Sequence, residues 1–153
     1  MPLKLTIRAF EHGKRIPDKH TCDGDDTSPE IRWDEVPDNT VSFALICEDP
    51  DAPGTTFTHW IVYNLPADQR QLDETIPVAK NLDNGGIHGK NDFGKYGYRG
   101  PCPPKGENHR YFFRLYALKR KLDPESARNR NDFYEAIKGH VLDEDGYMGT
   151  YSH

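Results

Sequence analysis

Apolar residues alternate or crowd together in "LKLTIRAF", "EIRW", "VSFALICE", "FTHWIVYNLP" and "RYFFRLYALK". Each run is rich in β-branched or aromatic residues and is bounded by Pro, Gly, Asp or Asn, the signature of a strand. In "VSFALICE" both alternating faces are apolar, with Val41, Phe43, Leu45 and Cys47 on one and Ala44 and Ile46 on the other. That pattern predicts a central strand covered on both sides. "FTHWIVYN" reads likewise, and plain alternation puts His59 on the face of Phe57, Ile61 and Tyr63. Along the last run the same rule groups His109, Tyr111, Phe113 and Leu115.

Helical patterning comes only late. Asp123 is a candidate cap with Pro124 at the first helical position, and "NDFYEAIKGHVL" spaces Phe133, Ile137 and Val141 four apart. The fold predicted is mainly β and antiparallel, with one or two C-terminal helices against the sheet. Between the fourth and fifth runs lies a long polar connection rich in Gly and Pro, whose Phe93, Tyr96 and Tyr98 argue for an ordered, packed loop.

Length and composition narrow the class. The 153 residues suit a single domain, 1–153, without a linker or internal repeat. Apolar residues make up 35% and charged residues 29%, and no apolar run approaches the roughly 18 residues of a membrane span. "MPLKLTIRAFEHGK" lacks the apolar segment of a secretory signal, so the expected location is cytoplasmic. Cys22, Cys47 and Cys102 form an odd set without CxxC spacing, which reads as three free thiols in a reducing compartment and no zinc site. A net charge of −5 without a basic stripe argues against a nucleic-acid partner.

Candidate chemistry gathers in three segments. In "CEDPDAPGTTFTHW", Asp49 and Asp51 stand at the end of an apolar strand on a turn stiffened by Pro50 and Pro53, and the next strand delivers His59. In "YGYRGPCPPKGENHRY", Pro101, Pro103 and Pro104 stiffen the backbone, while Gly97, Gly100 and Gly106 permit sharp turns before His109 and Tyr111. In "GYMGTYSH", Tyr147 and Tyr151 are placed to cover an edge. The remaining histidines, His12, His20, His88, His140 and His153, read as ordinary core or surface residues.

"DPDAPGTTFTHWIVYNLP" and "NDFGKYGYRGPCPPKGENHRYFFRLYAL" together resemble the phosphatidylethanolamine-binding protein family, and most closely its bacterial and archaeal, Raf-kinase-inhibitor-like branch. "CDGDDTSPEIRW" and "GHVLDEDGYMGTYSH" extend the likeness over nearly the whole chain, with Glu30 where that branch often has a second Pro. The resemblance implies a large central antiparallel sheet, a smaller flanking sheet and C-terminal helices. It also implies a small surface pocket for anionic groups such as phosphate, acetate or a phospholipid head group. Its positions here are Asp49, Asp51, His59, Cys102, Pro103, Pro104, His109 and Tyr111.

Two facing imidazoles can donate N–H bonds to phosphate oxygens, Tyr111 can add a hydroxyl, and Asp49 would favour a charged imidazole. Anion affinity is then expected to rise as pH falls from about 8 to about 6. The expected function is non-enzymatic binding of a small anionic or phosphorylated ligand with a signalling or regulatory role, with no cofactor and no metal. Neither HExxH spacing, nor a nucleophile motif, nor a phosphate loop is present to support catalysis. The alternative is a protein-interaction module that inhibits a serine protease or kinase through "NGGIHGKNDFGKYG". Dimeric relatives make a homodimer a further expectation.

Overall fold

The computed structural model describes residues 2–153. The strong runs form β1 (Lys4–Ile7), β2 (Ile31–Asp34), β3 (Ser42–Asp49) and β4 (Phe57–Pro66). Two short strands follow, β5 (Gln71–Leu72) and β6 (Ile87–His88), then β7 (His109–Leu118), α1 (Arg130–Ile137) and β8 (Val141–Tyr151). A small sheet has the order β1-β2-β5 and a large one β6-β4-β3-β7-β8. Every pairing between these strands is antiparallel.

The central position of β3 explains its two apolar faces. Phe43, Leu45 and Cys47 pack with Leu5, Ile7, Ile31 and Trp33 of the small sheet, while Ala44 and Ile46 pack with Phe133 and Ile137 of α1. Small sheet, large sheet and helix thus form three layers, and all of β3 is buried.

The helix is shorter than the sequence suggests. Glu125 adopts φ 73°, a left-handed conformation that a helix cannot contain, so Asp123 and Pro124 open only a turn. The N-cap is Asn129, whose side chain accepts from the Asp132 N–H. Gly139, at φ 80°, lies just past Lys138 and ends the helix, so Val141 belongs to β8. β8 pairs along the length of β7, and its Asp143 and Asp145 carboxylates accept from the backbone N–H groups of Leu3 and Leu5 at 2.8 Å. An acidic edge strand therefore ties the N-terminal strand to the large sheet.

Cys22 and Cys102 are bonded, with Cα atoms 5.4 Å apart, and only Cys47 is free and buried. This corrects the reading of three free thiols, and the argument for a reducing compartment loses its basis. Spacing was uninformative because the bridge closes a sequence separation of 80 residues. By chain entropy alone a closure of that length stabilises the fold by roughly 4 kcal/mol.

Candidate functional site

β7 pairs with β3 in unbroken register from Leu118 to Phe112, so alternation holds and His109, Tyr111 and Phe113 share a face. β4 behaves differently. Its register against β3 shifts between Cys47 and Glu48, where Trp60 and Thr58 are the partners and His59 is the extra residue. This bulge turns His59 to the face of Trp60 and Val62, away from Ile61 and Tyr63, which pack under α1. Plain alternation thus grouped His59 correctly with Phe57 but wrongly with Ile61 and Tyr63.

The result is a cavity of ≈ 160 Å³ lined by Asp49, His59, Tyr111, His109 and the Cys102–Pro104 segment. Ala52, Pro53, Phe57 and Phe93 complete its walls. The volume is well below the roughly 300 Å³ at the low end for drug-sized ligands. Sequence reasoning missed Phe57 and Phe93, whose rings meet edge to face at 4.9 Å, with the Phe57 ring also 4.9 Å from that of His59. The aromatic spacing in "FTH" and "NDFG" was the available signal, but only the fold brings the two together.

Asp49 organises the polar end. Its Oδ1 accepts the Asp51 N–H at 2.8 Å, closing the Asp-Pro-Asp turn, and its Oδ2 accepts from His109 Nδ1 at 2.7 Å. His109 Nε2 donates to Glu107 at 2.8 Å. Both ring nitrogens therefore face carboxylates, an arrangement satisfied by the imidazolium. Burial pulls the His109 pKa down, but its bonds to Glu107 and Asp49 and their charges outweigh it and leave the pKa raised.

His59 is the counterpart. Its Nδ1–H donates to the Arg99 carbonyl at 2.7 Å, while the Arg99 N–H returns a bond to the His59 carbonyl at 3.1 Å. Burial lowers its pKa against the raising effect of that carbonyl and of Asp49, Asp26 and Asp92. Tyr111 lies between the imidazoles, its ring 5.3 Å from His59 and 6.5 Å from His109. Burial, with the Asp49 charge beside it, drives the Tyr111 pKa well up, so the hydroxyl stays a donor.

Asp51 is not among the residues lining the cavity. Its carboxylate binds Arg110 through Nε and Nη2 and through the backbone N–H, each at 2.9 Å, and the guanidinium holds its pKa down at about 2. It fastens the turn to β7.

The Gly/Pro loop is stitched to the segment that holds Cys22. Tyr98 Oη donates to the His20 carbonyl, the Gly100 N–H to Asp26 and the Cys22 N–H to the Pro101 carbonyl. A Cβ at Gly100 would lie 2.0 Å from the His20 oxygen, so only glycine permits this approach. What the stiff loop clamps directly is His59, through Arg99. Tyr151 bonds to Asp18 and Asp23, and Tyr147 to the Phe10 carbonyl; neither lines the cavity. "NGGIHGKNDFGKYG" is tethered by β6 and by Asn91, which bonds to the Gly97 carbonyl and to the N–H groups of Phe93 and Lys95.

Comparison with known proteins agrees with this architecture. Residues 6–152 match the family model described as phosphatidylethanolamine-binding protein. A UPF0098 protein from Methanothermobacter thermautotrophicus is 50% identical over 149 residues, covering 97% of this chain and 98% of the relative. The crystal structure of a phosphatidylethanolamine-binding protein homologue from Chlamydia trachomatis superposes with a TM-score of 0.89 at 36% identity, over 99% of this chain and 98% of that one. The crystal structure of Escherichia coli YbcL, described as a member of the mammalian PEBP family, gives 0.90 at 30% identity, over 100% and 99%.

Proposed function

The chain belongs to the phosphatidylethanolamine-binding protein family, and we propose that its pocket binds a small anionic or phosphorylated ligand without turning it over. The observation that carries this reading is the meeting of Asp49, His59, His109 and Tyr111 on one small, aromatic-walled cavity. A phosphate-sized group suits the volume; an acyl chain does not.

Binding rather than catalysis is favoured by the state of the potential nucleophiles. Cys102 is spent in the disulfide, burial pushes the Cys47 thiol up, and the Tyr111 hydroxyl is held protonated. Occupancy reported to a protein partner would give the signalling or regulatory role expected from the sequence.

The test is a two-dimensional NMR titration of the protein with inorganic phosphate and with phosphoethanolamine, beside a His59→Ala, His109→Ala double variant. Shifts confined to Asp49, His59, Phe93, Tyr111 and the Cys102–Pro104 segment, and lost in the variant, are expected. Saturable shifts elsewhere, or none at millimolar ligand, would sink the reading.

A further inference from the structure

The hydrogen-bond inventory of the pocket is unusual for an anion site. His109 gives both N–H groups to carboxylates, Asp49 and Glu107. His59 spends its Nδ1–H on the Arg99 carbonyl, which fixes the tautomer of the neutral ring, the form in which Nε2 carries the lone pair. Nε2 has no partner among the described residues, and the ring lines the cavity.

The charges around His59 favour this neutral state only in balance. Asp49 approaches from β3, Asp26 and Asp92 from loops, and His109 and Tyr111 from β7. Arg99 offers only its carbonyl, since its guanidinium pairs with Asp26 at 3.3 Å and lies over the Phe93 ring. Burial outweighs the three acids, so the ring sits below the ordinary histidine range. The groups left for a ligand are therefore one acceptor, His59 Nε2, and the Tyr111 hydroxyl, which also lies within reach of Asp49. An oxyanion without a proton would set lone pair against lone pair at His59, leaving a buried acceptor unpaired.

We infer that the pocket takes a phosphomonoester in its monoprotonated form, the P–OH donating to His59 Nε2 and an anionic oxygen accepting from the Tyr111 hydroxyl. The inference rests on the anion-pocket reading above and narrows it. Under it the ligand brings the proton, whereas facing imidazolium donors would prefer the most highly charged anion. Affinity rises with acidity in both cases, but only the first case ties that rise to the titration of the ligand.

Methyl phosphate and methyl sulfate separate the two. Below a second pKa of about 6, methyl phosphate is a monoanion of the same shape and charge as methyl sulfate, and it carries a proton that methyl sulfate lacks. Calorimetric or NMR titration of the wild-type protein near pH 6 is expected to show methyl phosphate bound roughly tenfold or more tightly than methyl sulfate. Near pH 8, where the monoanion is scarce, methyl phosphate should weaken by more than about tenfold, and by more than methyl sulfate, which has no proton to lose and reports only the change in charge of His109. His59→Gln, whose amide can turn an N–H toward the ligand, should bring the ratio of the two affinities toward one. Equal or tighter binding of methyl sulfate overturns the inference and leaves the anion pocket standing. Binding of methylammonium in place of either, or of none of the three, overturns both.

Discussion

Glu48 and Asp49 are consecutive on β3, yet they leave it on opposite faces and meet opposite chemistry. Glu48 is buried between the large sheet and α1, where Arg114, Arg130 and the Tyr134 hydroxyl bond to it at 3.0, 2.7 and 2.6 Å. Both cations there are permanent, and all the contacts are internal. Asp49 meets a histidine, whose charge depends on pH, and opens on a cavity. One carboxylate is saturated and locks a helix to a sheet. The other is left able to respond, and the difference marks where binding is to be sought.

The stapling of the two faces differs as well, which gives the largest expected effect. Cys102→Ser, or reduction of the wild type, should cost roughly 4 kcal/mol in denaturant unfolding by loop entropy. The loss should be accompanied by mobility of the 98–104 loop in hydrogen exchange, while the amides around Glu48 keep their protection. Glu48→Ala comes next, at roughly 3 kcal/mol, the low end for a broken buried pair because both guanidiniums keep contact with water. Chemical shifts of the pocket should be nearly unchanged in it. Wholesale loss of pocket signals would show that the two faces are not separable.

Smaller effects come from titration. The folded pKa of His109 is raised, so its contribution to stability is complete below the ordinary histidine pKa of about 6.5 and is lost as pH rises through the folded value. The deficit of His109→Gln, on the order of 1 kcal/mol, should therefore be largest near pH 6 and shrink toward pH 8. His59 has the opposite sign. Its lowered pKa gives a contribution complete above about 6.5 and lost as pH falls through the folded value. Glu48→Gln touches no histidine and should lie parallel to the wild type over the same range. A pH-dependent gap there would erase the contrast.

The sequence was legible where the strands are regular. β3 and β7 alternate without interruption against each other, and the shared face of His109 and Tyr111 could be read from period two alone. β4 carries irregularities near His59 and near Asn64, which adopts φ 58°, and a bulge has no apolar signature. Asp49 and Asp51 look equivalent in "DPDAP" because nothing local reveals that Arg110 will claim the second. β8 escaped notice because acidic residues and glycines hide its pattern. The disulfide and the Phe57–Phe93 wall are contacts between distant segments, invisible to any local rule.

The most direct test is the protonation state of the two pocket imidazoles, read by long-range proton–nitrogen correlation on labelled protein at about pH 6.5, the ordinary histidine value. The expected spectrum shows His109 as an imidazolium with both nitrogens protonated, and His59 as a neutral ring with its proton on Nδ1 and a bare Nε2. A neutral His109, or a proton on His59 Nε2, would contradict the division of labour from which the pocket's chemistry is derived.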